Sequence, residues 1–192
     1  MKIWLVRHGE AMDDIRNEYG GWHDPELSDK GVVQATEMAI KLKTAEVEVT
    51  KILSSPLIRA LQTAEPIAKE LGGLKVEKCV YLKERNTYGL LCGVNKVEAL
   101  KKYPELVAAY DEGREVWGYE DYGFFVKRVR ELVKYFGKIN QNIIAVTHSK
   151  LLNALLTEVI GKKASKLNDG CLVEVELTEG KMTLVKTEGV EF

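Results

Sequence analysis

Three short apolar runs constrain this chain more than any other feature. Each stops on polar residues, and each is followed, directly or after a loop, by a helix-period pattern. Ile3-Trp4-Leu5-Val6 runs into Arg7-His8-Gly9, Ile52-Leu53 into Ser54-Ser55-Pro56, and Ile143-Ile144-Ala145-Val146-Thr147 into His148. Apolar runs this short, with β-branched residues and no alternation, read as strands buried on both faces. Behind Ser28, a suitable N-cap, Val32, Ala35, Ala39 and Leu42 recur at helical spacing. Pro56 opens a second helix whose stripe is Leu57, Ala60, Leu61, Ala64, Ala68 and Leu71, with Gly72-Gly73 as its stop. Pro66 inside that stripe predicts a kink or a shortened helix.

The rest of the chain extends this alternation. Val76 to Leu82 reads as a third strand, Lys96 to Lys102 as a helix stopped near Pro104, and Phe125, Val129, Leu132 and Phe136 as a longer helix closed by Gly137. A helix from Ser149 to Ile160 ends at Gly161. Leu172–Leu177 and Met182–Val185 flank Glu179-Gly180 as a terminal hairpin. Strands alternating with helices predict an α/β fold, a three-layer sandwich with a mostly parallel central sheet and helices on both faces. The 192 residues are expected to form a single domain, with a cap-like insertion around 83–118 over the sheet edge.

Charge narrows the partners. With 28 Lys plus Arg against 29 Asp plus Glu, the chain has no basic footprint for nucleic acid and no pull towards acidic membranes. No apolar run approaches the length of a membrane helix, and Arg7 comes too early for a signal peptide. Cys79, Cys92 and Cys171 are odd in number and far apart, so no disulfide framework is expected. Together these features predict a cytoplasmic protein. They leave its oligomeric state open.

Ligands of open α/β sheets bind beyond the carboxyl ends of the strands. That rule aims Arg7, His8, Arg59 and His148 at one edge. Helix N-termini after Ser55 and His148 add partial positive charge there. The natural guest of such a pocket is a phosphate dianion, which guanidinium forks match in pairs. A neutral imidazole can attack phosphorus, an acid must then protonate the leaving oxygen, and Glu84 is the best-placed carboxylate. His23 reads as a solvent-exposed loop residue and Cys92 as packing. Trp117, Tyr119, Tyr122, Phe124 and Phe125 read mostly as core.

These residues carry a family resemblance. Leu5-Val6-Arg7-His8-Gly9-Glu10 resembles the signature of the histidine phosphatase superfamily, which includes cofactor-dependent phosphoglycerate mutase. So do Gly21-Trp22 with Leu27-Ser28-Asp29-Lys30-Gly31, and Ser54-Ser55-Pro56 with Arg59 and Gln62-Thr63-Ala64. Leu82-Lys83-Glu84-Arg85 with Tyr88-Gly89, and Val146-Thr147-His148-Ser149, complete the set. The resemblance implies a phosphoglycerate mutase-like fold. It also implies that His8 is the nucleophile, that Arg7, Arg59 and His148 hold the phosphoryl oxygens, and that Glu84 is the acid and base. Asn17, Gly21, Arg85, Tyr88 and Ser149 are then the substrate-binding candidates. Two arginines can neutralise charge as magnesium does elsewhere, so no metal and no cofactor is expected.

The chain departs from the family pattern in places. Asp14 stands where an Asn phosphate contact is usual, with Asn17 as its substitute. Ala11 replaces a hydroxyl, one extra residue displaces Tyr88, and Lys150 replaces a small residue. The expected function is a metal-independent phosphomonoester phosphatase acting on a small phosphorylated metabolite. A 2,3-bisphosphoglycerate-dependent phosphoglycerate mutase and a non-catalytic phospho-ligand binder are the alternatives. A metallohydrolase built on His8, His23 and His148 lacks any recognised ligand spacing.

Overall fold

The computed structural model describes all 192 residues. The chain runs β1 (Lys2–Arg7), α1 (Met12–Ile15), α2 (Asp29–Thr44), β2 (Lys51–Ser54), α3 (Ile58–Glu70) and β3 (Val76–Lys78). It continues through α4 (Lys96–Lys102), α5 (Pro104–Asp111), α6 (Tyr122–Ile139), β4 (Ile143–Thr147) and α7 (Ser149–Ala154) to the hairpin β5 (Lys166–Thr178) and β6 (Lys181–Glu191). One six-stranded sheet has the order β3-β2-β4-β1-β5-β6. β1 to β4 pair in parallel, and β5 and β6 add an antiparallel edge.

Both faces of the sheet are covered. One carries the larger core, in which Phe125, Val129, Leu132 and Phe136 of α6 pack with Leu151 and Leu152 of α7 against Ile3, Leu5, Ile143 and Ala145. On the other, Met38, Ala39 and Leu42 of α2 and Ala60, Ala64 and Ile67 of α3 meet Trp4, Val6, Ile52 and Ile144. Residues of β1 and β4 alternate between these cores, so both strands are apolar without a break over Ile3-Trp4-Leu5-Val6 and Ile143-Ile144-Ala145-Val146. A third cluster, Tyr19, Leu91, Ala99, Val107, Ala109 and Val116, lies under the 89–116 segment.

Several expectations change in detail. The third strand stops at Lys78, and Val80–Leu82 forms a 3₁₀ turn. Pro104 starts α5 at its first turn, where a missing N–H costs nothing. α6 runs past Gly137 to Asn140, which adopts the left-handed conformation at its end. α3 is not shortened by Pro66. The helix from Ser149 becomes π-helical over Leu155–Ile160. The hairpin is about twice its expected length. Val32 is exposed, and Gly31 takes its place on the buried stripe of α2 with Ala35, Met38, Ala39 and Leu42. Of the aromatic set, Phe125 is buried, whereas Trp117 and Phe124 face solvent.

The Gly31 exception positions the site. A Cβ on Gly31 would lie 2.0 Å from the Glu10 carbonyl oxygen, and one on Gly9 would lie 2.5 Å from the Gly31 oxygen. The start of α2 therefore presses backbone against backbone on the loop that leaves β1. Ser28 Oγ accepts from Gly31 N and donates to Glu10 Oε2, locking the contact.

Candidate active site

Strand register builds the centre. Arg7 pairs with Thr147 and Ser54 with Val146, so the residues just beyond them, His8, His148 and Ser55, are neighbours at one sheet edge. The two imidazoles stand 4.9 Å apart at 61°. His8, His148 and Arg59 are all buried.

The hydrogen bonds assign the proton positions. His8 Nδ1 lies 2.7 Å from the Gly9 carbonyl, so Nδ1 carries hydrogen and Nε2 carries the lone pair. Arg59 Nε donates to that lone pair at 3.2 Å. Burial, then Arg59, then Arg7 hold His8 well below its ordinary value, so the ring is neutral at pH 7. Ser55 Oγ accepts from Leu57 N, and its own hydrogen is free to point at His148 Nε2, 2.7 Å away. His148 Nδ1 then carries a hydrogen and has no partner in the buried interior. Burial, followed by Arg59 and His8, depresses His148 in the same way.

The two arginines differ. Arg59 spans the loop after α1, donating from Nη1 to His23 O at 2.7 Å and from Nη2 to Gly21 O at 3.0 Å. Arg7 turns its fork towards β5, with Nη1 on the Leu167 carbonyl and Nη2 2.7 Å from Asp169 Oδ1. Only its Nε is buried and unpartnered. The expected pair of guanidinium forks is thus reduced, since both terminal nitrogens of Arg59 already donate to carbonyls and Arg7 keeps only its Nε without a partner.

Glu84 is buried on an irregular segment whose carbonyls have no strand partner. Side chains take them up instead. Arg128 donates to Tyr81 O and Lys83 O, Thr147 Oγ1 to Leu82 O, and Trp22 Nε1 to Glu84 O. Arg128 is itself clamped by both oxygens of Glu120. The Glu84 carboxylate accepts from Arg85 N at 2.9 Å and Ser149 Oγ at 3.3 Å.

A cavity of about 170 Å³ joins these groups, lined among others by Arg7, His8, Arg59, Glu84, Ser149 and Tyr88. His148 is not among the lining residues, its ring standing 4.9 Å from that of His8, and Gly21 contributes to the lining. Two sequence candidates are not brought in. Asn17 is exposed, with φ 51°, and its carbonyl receives Lys96 N, so the loop does not shift it inward. Arg85 lies over the rings of Tyr122 and Phe125, with Nε donating to Glu120 O, and lines none of the cavity. His23 is not free in solvent either, since its Nε2 sits 3.0 Å from Glu18 Oε2. Conversely, Asp13, Asp14, Glu18, Lys96 and Lys150 line the cavity. Of these, only Asp14 and Lys150 stood out in the sequence, as departures from a pattern. Asp13, Glu18 and Lys96 sit in polar stretches with no distinguishing signal. Arg128 lies on the charged side of the α6 pattern, with no signal in the sequence to set it apart.

Comparison with known proteins agrees with this geometry. Residues 3–188 match the model of the histidine phosphatase superfamily, branch 1. The 2,3-bisphosphoglycerate-dependent phosphoglycerate mutase of Bradyrhizobium diazoefficiens is 43% identical over 103 residues, 53% of this chain and 49% of that protein. The matched part thus spans about half the length of that relative. Among solved structures, the alpha-ribazole phosphatase of Shigella flexneri superposes with a TM-score of 0.83 at 23% identity, over 96% of this chain and 95% of that one. The phosphoglycerate mutase of Bacillus anthracis gives 0.82 at 21% identity, over 98% and 92%. The fold is therefore phosphoglycerate mutase-like, and the chain belongs to the histidine phosphatase superfamily.

Proposed function

We propose that this chain is a metal-independent phosphomonoester phosphatase that works through a phosphohistidine on His8 and acts on a small phosphorylated metabolite. The observation that carries this reading is the state of His8. It is buried and neutral, has its proton fixed on Nδ1, and keeps its Nε2 lone pair at the cavity beside Arg59.

When a phosphoester enters, Arg59 Nε–H turns from His8 Nε2 to a phosphoryl oxygen. Arg7 Nε–H and His148 Nδ1–H, both without partners, take others. The Nε2–P bond forms as the P–O bond to the leaving group breaks, and protonated Glu84 gives its proton to that oxygen. Water then attacks phosphorus, Glu84 takes the proton, and the P–Nε2 bond breaks to release phosphate. Ser149 and the Lys150 backbone orient Glu84, and Tyr88 and Gly21 shape the wall.

The mutase reading draws on the relatives that carry that name. A mutase must hold its substrate in two orientations and shelter phosphohistidine from water. Isotope-labelled 3-phosphoglycerate, run within a panel of phosphomonoesters and in the presence of chelator, tests both readings. Inorganic phosphate release undiminished by chelator supports the phosphatase. Conversion to 2-phosphoglycerate without release supports the mutase. Loss of hydrolysis on chelation contradicts the metal-independent mechanism.

A further inference from the structure

A pocket for a phosphate dianion should be short of negative charge, and this one is not. Its lining holds four cations, Arg7, Arg59, Lys96 and Lys150, against four carboxylates, Asp13, Asp14, Glu18 and Glu84. A bound dianion leaves two negative charges uncompensated, or one once Glu84 carries its catalytic proton. Three of the carboxylates come from a single short stretch, residues 13–18.

Asp13 is the most telling. It is 9% exposed, its Oδ1 has no hydrogen-bond partner, and it belongs to no ion pair. A buried carboxylate without an ion-pair partner is unfavourable, and Arg59 offsets this one from beyond ion-pair distance. Among the charged groups near Arg59, Asp13 acts on it most strongly, so this carboxylate lies close to where the phosphoryl group would bind. Asp14 beside it has its carboxyl pushed up, first by partial burial and then by Asp13. Glu18 is 17% exposed, and only His23 touches its carboxylate.

We propose that the leaving group of the substrate carries an ammonium that sits against Asp13 and Glu18, which makes the substrate a phosphomonoester of a small amino alcohol. This rests on the phosphatase reading above and names the substrate class of the same site. Asp13 and Glu18 line the same small cavity as His8 and Arg59, so the linker between phosphate and nitrogen is short. With the catalytic proton on Glu84, a single positive charge closes the balance that the dianion opens. Discrimination against an uncharged analogue follows because that analogue leaves Asp13 buried and unpaired.

The test uses two non-hydrolysable phosphonates of matched shape, 3-aminopropylphosphonate and n-butylphosphonate, measured by calorimetry on the full chain. At least tenfold tighter binding of the amino compound is expected, and Asp13→Asn and Glu18→Gln should each bring the ratio towards one. The two variants act on different side chains, so misfolding of one leaves the other to report. Equal binding of the two phosphonates, or a preference that survives both substitutions, overturns the inference. Such a result leaves the phosphatase reading intact if the parent esters still release phosphate. Binding of neither phosphonate removes the phosphate site and this inference together.

Discussion

At the scale of single residues, the proposed mechanism relies on protons fixed before substrate arrives. Gly9 O and Ser55 Oγ each set one imidazole tautomer, leaving one ring with a lone pair and the other with a free N–H. The division of labour makes a sharp prediction for Glu84. Its replacement by Gln removes the proton for the leaving oxygen, so kcat/KM for an alkyl phosphate should fall by about 10²–10⁴-fold. An activated aryl phosphate, whose leaving group needs little help, should lose far less. Equal losses on both would take Glu84 out of the acid role. His8, Arg59, His148 and Glu84 were legible in the sequence because each follows a strand or its continuation at a sheet edge. The structure places Asn17 and Arg85 away from the cavity, which gapless spacing does not show because it is silent on which way a loop side chain turns. Once the left-handed turn at Asn17 exposes that residue, and the rings of Tyr122 and Phe125 hold Arg85, neither reaches the cavity.

At the scale of elements, the segment that carries Glu84 depends on residues far away in sequence. Arg128 of α6 holds Tyr81 O and Lys83 O and pairs with Glu120, with both side chains mostly buried. Arg128→Ala leaves those carbonyls and the Glu120 carboxylate without their partner. It should destabilise the fold by about 3 kcal/mol and let Glu84 drift. The positional effect is separable from the structural one. Hydrolysis of an alkyl phosphate should fall about tenfold more than that of an aryl phosphate, whereas a purely structural role would lower both alike. Gly31 gives the second prediction at this scale. In an open helix, Gly→Ala stabilises by about 1 kcal/mol. Here the added Cβ meets the Glu10 carbonyl at 2.0 Å, and the overlap wins. Gly31→Ala should lower stability by about 3 kcal/mol in denaturant titration, and an unchanged midpoint would contradict the close approach. The strands and most helices were legible because their apolar periods are strong. α5 was missed because Pro104 was read as a stop, although proline suits a first helical turn equally well.

At the scale of the whole molecule, the centre lies where two cores meet. β1 and β4 contribute side chains to both cores, and their carboxyl ends carry the two histidines. Burying two neutral imidazoles links stability to pH. Both folded-state values lie below the ordinary 6.5 of the unfolded chain. The stabilisation is therefore complete above that value and is lost as pH falls towards the depressed folded values. Each histidine should contribute a slope of about 1.4 kcal/mol per pH unit in that window, and His148→Ala should reduce the combined slope by roughly one proton's worth. Denaturant titrations from pH 7 to 5 measure it, and a flat profile would contradict neutral burial. The parallel sheet and its covering layers followed from the alternation of strands and helices. The acidic lining could not be foreseen, because Asp13 and Glu18 become a wall only when the loop after β1 folds back over the strand ends.

The central claim is that His8 becomes covalently phosphorylated. The direct measurement is rapid quenching in base during turnover of a ³²P-labelled phosphomonoester, followed by peptide mass spectrometry. Acid-labile, base-stable label on His8, absent from His8→Ala and formed no more slowly than phosphate is released, is the predicted result. Phosphate release with no label on His8, or undiminished turnover in His8→Ala, would contradict it.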